Sequence, residues 1–242
     1  MQVYVVTLAR RQDRREWIES QLPDDWDVVY ASDAGLAVDG ADLGDEDLAG
    51  FSFFPWPLDA TAHGLASGHS YATPMTTGHV GCSLTHLNCW RHALDAGVST
   101  ALVLEDDALL SKDFRRNLTV AMDQLDGEPW HLLYAGRMPI EPDRGRFSDL
   151  LVIPGYSRQT HAYAVTSDGL RLLAEGGLEQ SLVNIDEYVP ALCCDHPRAD
   201  MRARFPKRLN AYAIDPPVAV QLVTWFGSDT LHSRTPPRAI AP

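Results

Sequence analysis

The chain has 242 residues, 33 acidic against 20 basic, for a formal charge of −13. With 45% hydrophobic and 22% charged residues it can bury a core, which sets it apart from disordered acidic tails. So negative a surface repels a phosphate backbone and excludes non-specific nucleic-acid binding; an anionic small ligand needs a local cation or an Arg to hold it.

The length suits one domain over residues 1–234, with a long loop at 32–77 and a flexible tail at 235–242. Residues 3–8 are a β-branched run, and 10–22 follow with Trp17, Ile18 and Leu22 at helical spacing, a β-α opening. Arg10, Arg11, Arg14 and Arg15 sit on that helix and read as a solvated face. Residues 27–31 (DVVYA) make a second strand, after which periodicity is lost until residue 77. The aromatic residues of this loop, Phe51, Phe53, Phe54 and Trp56, either line an acceptor cleft or pin the loop to the core. From Val80 onward Leu84, Leu87, Trp90 and Leu94 recur at helical intervals until Gly97. Strands are predicted at 100–104, 130–135, 161–166 and 211–214, and helices at 113–125, 168–174 and 186–194. Strands alternating with helices indicate an α/β fold with a mostly parallel central sheet flanked by helices.

No run reaches the about 18 apolar residues of a membrane span, and the first eight residues are too short for a signal-peptide core, so a cytoplasmic protein is expected. Cys82, Cys89, Cys193 and Cys194 fit neither a disulfide framework nor a zinc site and read as buried free thiols. Among the nine histidines, including His86, His161 and His232, no pair has zinc-like spacing.

The segment ALVLEDDA at 101–108 carries the most chemistry. Four apolar residues bury a strand, and Glu105, Asp106 and Asp107 follow where it leaves the sheet, the end at which open α/β sheets bind ligands. Adjacent carboxylates repel one another, and a divalent cation relieves the repulsion. Oxygen ligands suit Mg²⁺ or Mn²⁺. If the chain stays extended, Glu105 and Asp107 face the same way and Asp106 turns aside; the plain alternative is a solvated acidic turn. A second candidate is NIDE at 184–187, where Asp186 or Glu187 is either a general base or an acid at a helix start.

Taken in order, VTLARRQDRR (6–15), GHVGCSLTHLNCW (78–90), LVLEDDA (102–108) and VNIDEYVPAL (183–192) resemble glycosyltransferase family 25, which includes bacterial lipopolysaccharide galactosyl- and glucosyltransferases and the procollagen galactosyltransferases. HLLYAGR (131–137), THAYAVTSDG (160–169) and SDT (228–230) look most like the procollagen branch. The resemblance implies a GT-A type nucleotide-sugar-binding fold, UDP-galactose or UDP-glucose as donor, and Mn²⁺ or Mg²⁺ on its diphosphate. It carries the metal role onto Glu105 and Asp107, with Asp106 beside them, and places Thr7, Leu8, Arg10 and Arg11 along the uridine. It implies inversion at the anomeric carbon with Asp186, or Glu187, as base, and a glycan or hydroxylysine-containing peptide as acceptor. This sequence departs from the family pattern at Thr7, His79 and Thr85, where Asn, Glu and Ser are usual.

Two other classes compete. A nucleotide-sugar-binding protein of the same fold that has lost catalysis is suggested by the His79 departure. A phosphoryl-transfer or hydrolytic enzyme would use the same acids, but the sequence has no GxxxxGK[ST] segment to cradle phosphates.

Overall fold

The computed structural model describes residues 1–56 and 75–230. In chain order the elements are β1 (Gln2–Val6), α1 (Gln12–Glu19), β2 (Val28–Tyr30), α2 (Asp45–Leu48), α3 (Thr77–Asp95), β3 (Thr100–Glu105), β4 (Ala108–Leu110) and α4 (Phe114–Gln124). They continue with β5 (Leu132–Pro139), β6 (Gly145–Arg146), β7 (Leu151–Ile153), β8 (Ser157–Thr166), α5 (Ser167–Ala174), α6 (Ile185–Cys193), α7 (Ala199–Arg204), β9 (Ala211–Ile214), β10 (Ala219–Gln221) and α8 (Val223–Phe226).

Eight strands form one sheet in the order β2-β1-β3-β8-β5-β9-β7-β6, while β4 and β10 make a small antiparallel pair. Six of the eight point the same way and only β8 and β7 are reversed, so the sheet is mostly parallel in strand direction. Alternation along the strands sorts side chains to two faces. Tyr4, Val103, Tyr163 and Val165 join a core with α3, α5 and α6, whereas Val3, Val5, Leu102, Leu104 and Ala164 join a second with Ile18 of α1 and Phe114, Leu118 and Ala121 of α4. The helices therefore cover both faces, an arrangement consistent with the GT-A type. Among the described residues no helix is long and apolar enough to cross a membrane.

The aromatic residues of the long loop pin it to the core. Phe53 bridges to Leu182, and Phe54, 5% exposed, packs on Phe205 at 6.0 Å. Farther along that loop, residues 57–74 lie outside the described residues, as do the predicted tail at 235–242 and His232. The solvated-face reading of the arginine cluster fails at Arg14, which is buried. Helix α1 packs across the end of β3, and the guanidinium finds carboxylates there rather than water. Strand β8 begins at Ser157, four residues before the predicted start, because Arg158, Gln159 and Thr160 break the apolar pattern. Cys89, Cys193 and Cys194 are buried free thiols as expected, but Cys82 is only half-buried and opens onto the cavity described next.

Candidate active site

At the carboxyl ends of β1 and β3 lies a cavity of about 280 Å³. Three devices shape it. The loop after β2 is pressed against α3: a Cβ on Gly40 would lie 2.3 Å from the Thr77 carbonyl, and one on Gly81 2.4 Å from that of Val38, so neither position has room for a side chain. Helix α3 begins at the rim with Thr76 as N-cap, whose Oγ1 accepts from the His79 amide at 3.3 Å while His79 Nδ1 accepts from the Thr76 amide at 3.1 Å. This is a capping box with imidazole in the place usually taken by Glu or Gln. Strand β8, being antiparallel, brings its first residues to the same end of the sheet as the tip of β3.

The chain turns at Asp106 and Asp107 instead of staying extended, yet Glu105 and Asp107 still meet. Gln221 Nε2 donates to Glu105 Oε2 at 2.8 Å and reaches Asp107 Oδ2 at 3.4 Å, so these two carboxylates share one side. Asp106 turns to Arg14, whose Nη1 donates to its Oδ1 at 3.0 Å. Burial pushes the Asp106 carboxyl up to about 7 in spite of Arg14. Burial, then repulsion from Asp107 and Asp186, drives Glu105 well above its ordinary value, and burial raises Asp107 as well. Asp107 Oδ1 is buried and has no hydrogen-bond partner among the described residues. A buried carboxylate oxygen left unsatisfied is costly, and the oxygens of Glu105 and Asp107 that meet there are the kind of donor a hard divalent cation takes. The residues fit such an ion.

Asp186 faces the triplet from the start of α6. Its Oδ1 accepts from both the amide and the Oγ1 of Thr160 at 2.9 Å, and burial raises its carboxyl. Glu187 is held elsewhere. Its Oε2 accepts from Tyr156 Oη at 2.5 Å and His196 Nε2 at 2.9 Å, and its Oε1 pairs with Arg158 at 3.0 Å. It is 3% exposed and does not line the cavity.

The cavity thus brings together Thr7, Leu8, Arg10, Glu105, Asp106, Asp107 and Asp186 from the residues singled out in the sequence, and leaves out Arg11 and Glu187. Thr7 is buried with its Oγ1 2.9 Å from Ser32 Oγ. Arg10 pairs with Asp39 at 2.5 Å and Asp229 at 2.7 Å, and Arg11 with Asp229 at 2.5 Å and Asp13 at 2.8 Å. Burial raises Asp229, but the hydrogen bond from Arg10 and the charges of Arg14 and Arg11 outweigh it and hold the carboxyl below its usual range. The 228–230 segment is in this way strapped over the first turn of α1.

Sequence reading missed Arg14, Gln221, Thr160 and Gln159. The first three are ordinary polar residues in sequence and acquire partners only across distances of 92, 116 and 26 residues. Gln159 adopts φ 66°, a left-handed conformation within a strand that no local pattern signals, and it lines the cavity. Its neighbour Thr160 is the residue that orients Asp186.

Comparison with known proteins bears on what binds there. The sequence profile described as glycosyltransferase family 25 (LPS biosynthesis protein) matches residues 1–145, more than half of the chain. The chain belongs to glycosyltransferase family 25. Relatives in this family include the human "Inactive glycosyltransferase 25 family member 3", 31% identical over 90% of this chain and 36% of that protein. Others are procollagen galactosyltransferase 1 of Danio rerio, 28% identical over 89% and 35%, and procollagen galactosyltransferase 2 of Mus musculus, 28% identical over 89% and 34%. The chain spans about a third of the length of these relatives. A solved structure of a mannose-1-phosphate geranyltransferase from Thermus thermophilus covers 88% of this chain and 58% of its own at 12% identity, with a TM-score of 0.34, too slight a likeness to argue from. The family-25 profile covers the triplet and the start of α3, whereas Asp186 and the 228–230 segment lie beyond it.

Proposed function

We propose that this family-25 chain is a metal-dependent inverting glycosyltransferase that moves a hexose, galactose or glucose, from a UDP-sugar to an acceptor hydroxyl. The observation that carries the reading is the buried, unpartnered Asp107 Oδ1 beside Glu105, facing Asp186 across one cavity. Glu105 and Asp107 would hold Mn²⁺ or Mg²⁺; when bound, such an ion neutralises the diphosphate leaving group as a Lewis acid. Arg14, whose Nη1 reaches both Asp106 and Asp107, offsets part of the local negative charge.

Thr7 and Leu8 border the donor at the end of β1. Asp186, fixed by the two bonds from Thr160, takes the acceptor hydroxyl's proton. Burial raises its carboxyl, which makes it a stronger base than an exposed aspartate. Inversion follows from one displacement with base and leaving group on opposite sides of the sugar. A glycan or a hydroxylysine-containing peptide is the acceptor we favour, since the chain's net charge of −13 disfavours anionic acceptors. A cytoplasmic location and one domain over residues 1–234 complete the reading.

A second reading, a nucleotide-sugar-binding protein without catalysis, is favoured by relatives whose names call them inactive. UDP release from a panel of UDP-sugars with Mn²⁺, each with glycan and peptide acceptors, separates the two. Transfer that is lost on chelation and lost in Asp107→Asn supports the enzyme. UDP-sugar binding by calorimetry with no turnover on any acceptor supports the second reading.

A further inference from the structure

Beside the acids of the cavity lies a thiol-imidazole pair outside the mechanism above. Cys82 and His86 stand four residues apart on α3 and so share a face of the helix. Cys82 Sγ, a ring nitrogen of His86 and a carboxylate oxygen of Glu105 all lie within 4.8 Å of one another. His86 Nε2 is 3.4 Å from Glu105 Oε1. A tetrahedral site with bonds near 2.0–2.1 Å places its nitrogen and oxygen ligands roughly 3.3 Å apart, and a thiolate at about 2.3 Å lies roughly 3.6 Å from either. Two ligands already have that spacing, and a side-chain adjustment on the order of 1 Å at Cys82 completes the third.

The surroundings also fit. His86 Nδ1 is 2.9 Å from Tyr163 Oη, and that oxygen accepts from Trp90 Nε1 at 2.8 Å. The Tyr163 oxygen has a second lone pair for an Nδ1–H. Donation from Nδ1 to an oxygen is the outer-shell contact that metal-bound histidines make, and it leaves the Nε2 lone pair toward Glu105. Cys82 lines the cavity, so an ion has access and a fourth position opens to it. Glu105 shows one oxygen to each side: Oε1 to His86 and Oε2 to Gln221.

We propose that Cys82, His86 and Glu105 form a second metal site, for a borderline cation such as Zn²⁺ or Co²⁺, antagonistic to the cation at Glu105 and Asp107. Thiolate and imidazole select such ions over Mg²⁺ or Mn²⁺. The thiol proton leaves to solvent as the metal binds. Two dications sharing Glu105 repel, and each weakens the other by the same factor. The antagonism rests on the reading of Glu105 as a donor-cation ligand; the site itself does not.

The test is Co²⁺ titration of the full chain without nucleotide sugar. One equivalent gives a thiolate-to-cobalt charge-transfer band in the near ultraviolet, removed by Zn²⁺ and absent in Cys82→Ser, which keeps the wild-type far-ultraviolet circular dichroism. Cys82→Ala serves as a second variant should Ser disturb α3. No band in the wild type, or a band unchanged in both variants, overturns the site. Excess Mn²⁺ raises the apparent Co²⁺ dissociation constant at least tenfold. A Cys82-dependent band indifferent to Mn²⁺ overturns the antagonism and counts against the donor-cation reading, not against the site.

Discussion

Replacing Arg14 with Met keeps much of the side chain's volume and removes its charge. In the folded protein Nη1 serves Asp106 at 3.0 Å and lies 3.4 Å from Asp107, while Nη2 donates to the Gly227 carbonyl at 2.7 Å. Breaking a buried ion pair from one side costs about 3–5 kcal/mol. At about 2–4 °C per kcal/mol for a chain of this size, Tm falls by roughly 6–20 °C. The loss depends on pH. Burial already places Asp106 at about 7 against an ordinary 3.8, and Arg14 is what keeps it from rising further. Above that value the variant holds an unpaired carboxylate or takes up a proton, and the full cost is expressed; below it the carboxyl is neutral in both proteins and the difference shrinks. Urea denaturation followed by tryptophan fluorescence at about pH 9 and about pH 6 reads both effects. Adding Asp106→Asn to the variant recovers part of the loss at the higher pH. By contrast Arg15→Met, which removes a half-exposed pairing with Glu19 and Asp33 and a cation–π contact over Tyr30, costs about 1–2 kcal/mol with little dependence on pH between the two values. A loss under about 1 kcal/mol for Arg14→Met, or equal losses at the two pH values, would refute the assignment of Arg14 to the triplet.

Other expectations follow from neighbouring contacts. Asp186→Asn lowers kcat roughly 10²–10⁴-fold with little change in Tm, whereas Glu187→Gln, breaking the pairing with Arg158 and His196, costs stability first; steady-state rates and calorimetry on both variants distinguish the roles, and the reverse pattern exchanges them. Burial lowers the His79 pKa from 6.5, so protonation below that value removes the acceptor for the Thr76 amide and stability is lost as pH falls. His79→Gln keeps an acceptor that does not titrate, and its Tm advantage over wild type should grow from about pH 7 to about pH 5; parallel curves contradict the capping role. In Gly136→Ala the new methyl would lie 2.2 Å from His161 Nε2 and 2.4 Å from the Ala219 carbonyl, costing about 1–3 kcal/mol in urea denaturation.

Much of the architecture could be read from the sequence because its signals are local. The apolar run at 101–104 is buried on both sides of the sheet, and the change to three acids marks the strand end that becomes the cavity wall. Glu105 and Asp107 meet at Gln221 although the chain turns at 106 and 107, so packing and not the two-residue period of a strand brings them together. Short elements such as α2, α7, β4 and β10 have too few residues for a period to emerge, and they form because neighbours supply their partners.

Tertiary structure decided which acids and cations meet. Asp186 and Glu187 are adjacent on one helix, about 100° apart around its axis; packing of α6 against β8 turns the first to Thr160 and the second to Arg158 and His196. Arg14 and Arg15 differ by the same rotation, and only the docking of α1 over the triplet makes one a buried counter-ion and the other a surface residue. A charge of −13 could say only that an anion would need local help. The fold specifies where that help lies: carboxylates gathered from the end of β3 and from α6, an Arg from α1 against two of them, and a buried Asp107 oxygen left unmatched. Composition is a sum over residues, whereas electrostatic compensation is a property of distances of a few ångströms, which only the closed chain defines.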